Sequence, residues 1–369
     1  MTVAETAIPA IGPRRLRVER RLNVTPAQAM LARVSGVVAA LAVAAVVLTL
    51  TGRNPVNLLW KAVDGTFLEV QGMEELGVLL TPILMSALAV HIALRMKIWN
   101  IGSEGQFFMG AWAAAGIGIH WGGPRYVVLL VMAIVAAVAG AIWILVPAVA
   151  RAHWQVNEII TTLLLNFVAI QWVAWFSFDI WRDKAAAVVQ STPVVQARLP
   201  FFPGSNTLYV GLFVPLVIAA VTFAVFRYTR WGYEIDMIGG NPRAAEFAGM
   251  RVKRKIVIVM LISGAIAGVS GMLHLAGPAQ RLNSSISNNY GLSGFIVAAL
   301  AGNSVVGVVA GSVFIAAALH AGITLQSDGL SVYIVAAVYG MVLLGIAIGE
   351  VAARFRIVRP ARREIGAVT

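Results

Sequence analysis

One apolar run of about 20 residues follows another along nearly the whole chain, and this constrains the fold more than any other feature. The runs are Val34–Leu50, Leu76–Leu94, Ile101–His120, Tyr126–Val149, Ile159–Phe178, Thr207–Phe226, Ile256–Gly277, Tyr290–Gly302, Val305–Leu325 and Leu330–Gly349. Lipid offers the backbone no hydrogen-bonding partner, so such runs cross it as helices that satisfy themselves. The expected fold is an all-α integral membrane protein with about ten transmembrane helices. The eighth run is short and Gly-rich, the pattern of a broken or re-entrant span. Only 12% of the 369 residues are charged, against about a quarter in a soluble domain.

The net charge of +12 would suggest a nucleic-acid partner in a soluble protein. Here its distribution gives another answer. Alternating the spans puts 21 of the 28 Lys and Arg residues on one side. They fall in a basic N-terminal segment (1–29), in Arg33, Arg95, Lys97 and Arg151, in the loop 227–255, and in the tail 350–369. The other seven lie on the opposite side, where seven acids balance them. The positive-inside rule therefore makes both termini cytoplasmic, with 30–349 as the membrane domain. Topology accounts for the charge, and no nucleic-acid partner is expected. The first run is too long for a signal-peptide core, and Thr49-Leu50-Thr51-Gly52 is a poor cleavage site.

Catalytic patterns are missing from the sequence. There is no cysteine, so thiolate metal sites and Cys nucleophiles are excluded. No Gly-x-x-x-x-Gly-Lys-Ser/Thr loop cradles a phosphate, and the five histidines form no metal-binding pair. Acids at membrane depth are scarce: Glu104 is one, and Glu158 opens a span. That argues against an ion-coupled pump, which needs intramembrane carboxylates or His relays.

Two glycine-rich interruptions fall in the two halves of the chain. Asn100-Ile101-Gly102-Ser103-Glu104-Gly105-Gln106 breaks the first, and Gly291 through Asn303 breaks the second. Paired interruptions of this kind point to a transporter's solute pathway. Candidate pathway residues are Asn100, Glu104, Gln106 and the mid-span Asn166. Glu104 as a plain cap of the third span is the competing reading. Gly264-x-x-x-Gly268 with Gly271, and Gly307-x-x-x-Gly311, have the spacing of close helix packing. The outward stretches Gly52–Glu75 and Asp179–Asn206 read as a short amphipathic piece and an ordered turn region.

The loop Arg227–Lys255 is the most charged internal stretch. Within it, Asn241 can cap a helix, Pro242 suits the first helical position and Gly249 the left-handed stop. A short capped helix there, presenting Arg243 and Glu246, reads as a docking knob.

These stretches resemble a known family. KIWNIGSEGQFFMG is similar to the signature NIGxEGQ of permease subunits of bacterial ABC importers for nucleosides and related simple sugars. NEIITTLLLNF, GYEIDMIGGNPRAAEFAGMRVKRK and GLSGFIVAALAGNSVVGVVAG resemble its later signatures, in order, from about Leu76 to Gly349. The resemblance implies a transport subunit that is not an enzyme and holds no cofactor, ATP being bound by a partner ATPase subunit. It also implies a second permease, expected to be a different chain, and an extracytoplasmic solute-binding protein. The chain itself sits in the lipid bilayer of the bacterial inner membrane. By the motif, Asn241, Pro242, Arg243, Glu246 and Gly249 form the coupling loop that docks on the ATPase. Two positions depart from the pattern: Asp236 stands where the family commonly has arginine, and no proline occurs near Ser304–Val306. The rival reading from another class is a stand-alone facilitator or ion-coupled secondary carrier. A membrane-embedded enzyme comes third.

Overall fold

The computed structural model describes residues 17–20, 26–185 and 191–358. Much of the basic N-terminal segment and tail, including Arg14, Arg15, Arg21, Arg359, Arg362 and Arg363, lies outside the described residues. The first half runs β1 (Arg17–Arg20), α1 (Pro26–Leu50), α2 (Pro55–Val63), α3 (Val70–Leu94), α4 (Ser103–His120), α5 (Arg125–Trp154) and α6 (Glu158–Trp175). The second runs α7 (Phe213–Tyr228), α8 (Arg230–Gly240), α9 (Pro242–Phe247), α10 (Val252–His274), α11 (Tyr290–Ala301), α12 (Val305–Ser327), α13 (Val332–Arg354) and β2 (Phe355–Val358).

Among the described residues, eight helical stretches are long and apolar enough to cross a membrane. They match eight of the ten expected runs. The other two are α4, whose Glu104, Gln106 and His120 lower its hydropathy, and α11, which is only 12 residues long. The chain is a multi-pass, helical membrane protein. The all-α expectation needs one addition, since β1 and β2 form a two-stranded antiparallel pairing.

The chain divides into two units. In the first (1–58 with 330–369), α1 packs on α13. Gly36 lies against Gly345 and Gly349 so closely that a Cβ on any of the three would strike backbone. Arg33 Nε and Arg354 Nε each donate to Glu350, both at 2.7 Å. The β1–β2 pairing brings the start and end of the chain to one end of this helix pair.

The second unit (59–329) is built around α3 and α10. Residues Ile83, Leu84, Met85, Leu88 and Ala89 of α3 are fully buried. Helix α10 crosses α5 and α4 at glycines. A Cβ on Gly264 would strike the Gly140 carbonyl within 2.5 Å, and one on Gly268 or Gly271 would strike the carbonyls of Ala136 and Phe107. That is the contact the Gly264-x-x-x-Gly268 spacing anticipates. Gly307 and Gly311 differ, because they face only side chains of Ser304, Ala301 and Val297.

The outward stretches are more than connectors. Gly52–Glu75 contains α2 and the turn Asp64–Leu68, where Thr66 Oγ1 and Glu75 lie 3.1 Å from the two ring nitrogens of buried His320. Within Asp179–Asn206, residues 186–190 lie outside the described residues, and the chain from 191 to 199 runs extended along 276–282. Thr192, Val195 and Leu199 donate their N–H groups to Leu282, Gln280 and Ala276 at 2.8–3.0 Å. The eighth expected run, Tyr290–Gly302, is one short unbroken helix, α11, and the break lies before it. α10 ends in a turn at Leu275–Ala279, an irregular segment follows, and α11 begins at Tyr290.

Candidate functional site

Two polar places stand out in the second unit. The first is buried, where the breaks before α4 and α11 meet. Asn100, Glu104, Gln106 and Asn166 are all at most 5% exposed. Asn100 Nδ2 donates to Gln106 Oε1 (3.0 Å) and to Ser263 Oγ (2.8 Å). Its Oδ1 accepts from Gly102 N (3.0 Å) and Gln106 Nε2 (2.9 Å). A primary amide has two donors and two acceptor sites, so Asn100 is saturated. Ser263 Oγ in turn donates a hydrogen bond to the Ala89 carbonyl at 2.6 Å, tying α10 to α3. Asn166 accepts from Gly105 N (2.8 Å) and donates to the Ile101 carbonyl (2.9 Å), which holds α6 against the same break.

Glu104 answers the alternative left open by the sequence in an unforeseen way. It stands in the first turn of α4 but caps another helix. Its carboxylate accepts from Gly291 N at 2.6 Å, with Leu292 N and Ser287 as further partners. These are the first free amides of α11, where a negative charge is favoured by the helix dipole. Ser103 Oγ completes the junction by donating to the Gly291 carbonyl at 3.0 Å. The approach is tight enough that a Cβ on Gly291 would strike the Glu104 backbone. The two breaks share one spacing, Asn100-x-Gly102-x-x-Gly105 and Asn289-x-Gly291-x-x-Gly294. Glu158, the first residue of α6, is also buried, pairing with Arg151 (3.3 Å) and accepting from Trp99 N (3.3 Å).

The second place is the loop between α7 and α10. Asn241 Oδ1 accepts from Ala244 N at 3.2 Å, Pro242 opens α9 and Gly249 takes φ +81°. The helix itself is Pro242–Phe247, within the expected bounds Asn241–Gly249. Ala245 is its one buried residue, set among Met96, Ile98, Ile235, Ile238 and Val252. Arg243 and Glu246 are exposed, and Phe247 is 94% exposed. Glu246 also lines a concavity of about 630 Å³ with His153, Arg251, Lys253 and Arg254.

Residues 72–352 match the family of branched-chain amino acid transport system permease components. The chain belongs to this family. It is 32% identical over 301 residues to a glucose ABC transporter permease of Haloferax volcanii, covering 79% of each chain. It is 31% identical over 280 residues to a guanosine ABC transporter permease of Bacillus subtilis, covering 74% of this chain and 80% of that one. A nucleoside ABC transporter permease of Lactococcus lactis is 27% identical over 239 residues, 62% of this chain and 66% of that one. The protein is thus an ABC transporter permease subunit in a cell membrane, and such subunits work with an ATPase and a solute-binding protein.

In this permease the sequence missed helix α8 before the docking helix. Thr229 caps it, accepting from Gly232 N at 3.2 Å, and Trp231, Ile235 and Ile238 recur on one face. That periodicity was the available signal. Asp236, the departure from the family pattern, is the anchor of α8. It takes both Arg95 Nε (2.6 Å) and Nη2 in a bidentate pair. Arg95 Nη1 also donates to the Asn303 carbonyl (2.7 Å), and its guanidinium lies 4.5 Å over the Phe226 ring. Lys255 on α10 pairs with Glu234, two residues before Asp236 on α8. Where the family commonly has proline, Ser304 Oγ caps α12 by accepting from Gly307 N at 3.0 Å.

Proposed function

We propose that this permease subunit moves a nucleoside or a related simple sugar inward across the membrane, powered by a separate ATPase. The observation that carries the coupling is α9. It is a capped helix held by Ala245 on a rigid apolar floor, with Arg243, Glu246 and Phe247 left outward. Through α8 it is tied to α3 by Asp236–Arg95 and to α10 by Glu234–Lys255. A push on α9 therefore reaches the two helices at the centre of the bundle. The substrate class follows the names of the relatives. We further assign ten crossings with α4 and α11 included, cytoplasmic termini, a second permease of different sequence, and no nucleotide held by this chain.

The buried four have a role that fits their bonds. Asn100, Glu104, Gln106 and Asn166 hold the two breaks together, positioning the α4 and α11 ends beside any pathway. Arg243→Ala combined with Glu246→Ala and Phe247→Ala is expected to abolish co-purification with the ATPase while the permease still reaches the membrane. Unchanged co-purification and uptake would overturn the coupling assignment. A facilitator would instead move solute when reconstituted alone, without ATP.

A further inference from the structure

Asn100 is saturated, and Glu104, Gln106 and Asn166 are committed to it or to backbone, so a solute has more exposed side chains to meet elsewhere in the spans. In the spans, polar groups turn inward: Thr81, Ser86, His91, Glu104, Gln106, Thr162, Asn166, Thr222, Ser263, Ser270, Ser312 and His320 are all buried. Among the described residues, Gln171 is the one amide or ionisable side chain that faces outward in the interior of a span. It lies two residues past the midpoint of the apolar stretch Glu158–Ile180, and its side chain makes no hydrogen bond to another described residue. An amide left in hydrocarbon would have no partner, so this face of α6 is not a lipid face.

Its surroundings specify what meets it. Gln171 shares a concavity of about 460 Å³ with Phe167, Val168, Trp172 and Trp175. Phe167 is 62% and Trp175 51% exposed, so flat ring surface is open on either side of the amide. The aromatic row continues from Trp172 through Phe176, Trp112 and Trp181 to His120, with successive centroids 5.2–5.9 Å apart. Indole and phenyl faces with one amide suit a solute that has a flat ring face and a hydrogen-bonding edge. Nucleobases and pyranoses share that chemistry.

We propose that the Gln171 face of α6 lines the solute pathway and contacts the ring of the transported solute. This deepens the function proposed above and rests on it for the solute class. The absence of native cysteine provides a clean test. Gln171→Cys, Phe167→Cys and Trp175→Cys are made separately in the full transporter, with Ile142→Cys, exposed at mid-span on α5, as the lipid-facing control. Each is treated in native membranes with a charged, water-soluble methanethiosulfonate. The thiolate is the reacting form and needs water, so the α6 positions should react at least about tenfold faster than Ile142→Cys. Guanosine or glucose should slow them, and whichever does identifies the ring.

Labelling as slow as the control overturns the proposal in favour of lipid. Slow labelling with a cross-link to the second permease overturns it in favour of a dry subunit contact. Fast labelling that neither solute slows, while either is being taken up, overturns the ring contact. Three positions are used so that one misfolded variant does not decide the result. Uptake by the unmodified complex reports separately on the solute class. If neither guanosine nor glucose enters, that reading fails, while the labelling rates still decide whether the face is wetted.

Discussion

Two stretches of this permease look alike in the sequence, polar and glycine-bearing between apolar runs, and the fold uses them in opposite ways. Asn100–Gln106 turns inward, and its side chains are spent on one another and on backbone. The loop 227–255 spends Asp236, Glu234 and Asn241 on holding itself in place and leaves Arg243, Glu246 and Phe247 outward. The difference follows from the solvent. A polar group inside the bundle has only protein to bond with, so it becomes a joint. At the aqueous edge, water satisfies what the fold leaves over, and a side chain can be kept for a partner.

If that contrast is right, inner substitutions damage stability and outer ones damage assembly. The largest loss of stability is expected for Asn100→Ala. It orphans buried groups of Gln106, Gly102 and Ser263, costing roughly 3 kcal/mol or more, read as a fall in the thermal midpoint of the detergent-solubilised protein. Glu104→Ala leaves the first amides of α11 unpartnered and should cost about 2 kcal/mol. Glu104→Gln should recover part of this, since the amide oxygen can still accept. Asp236→Ala comes next, at about 1–2 kcal/mol because the pair is only partly buried. It should also loosen ATPase coupling by freeing α8, visible as ATP hydrolysis with reduced uptake. Phe247→Ala should change stability by less than about 0.5 kcal/mol and still weaken ATPase binding roughly 30-fold, as an exposed aromatic anchor would. A reversal of this order would break the contrast.

How much was legible beforehand differs between the same two regions. The docking helix could be read residue by residue, because its cap, its proline and its glycine stop all fall between Asn241 and Gly249. The junction could be located but not solved. Gly102 marked the first break, whereas the second, expected over Gly291–Asn303, is helix α11 with its break just before it, and the bonds that join the two places link residues up to 188 positions apart in sequence. No local pattern shows that Glu104 in α4 caps α11. Asp236 was opaque for the same reason, its partner Arg95 lying 141 residues away. Hydropathy located α4 and α11 to within two residues, although α4 is too polar and α11 too short to stand with the eight long apolar spans. The buried polar residues looked like pathway in the sequence. Their bonds to one another and to backbone, and the outward turn of Gln171, only appear once the helices are packed.

The central claim is that α9 is where the ATPase engages the permease. Replacing Phe247 with p-benzoylphenylalanine keeps the ring in place and adds a photoreactive group. Irradiating the assembled transporter should cross-link this position to the ATPase subunit, more strongly when ATP is bound than without nucleotide. The same replacement at Tyr126, 74% exposed at the opposite end of α5 from His153, should give no ATPase cross-link. A permease that assembles and transports but shows no Phe247 cross-link to the ATPase in either state would contradict the account.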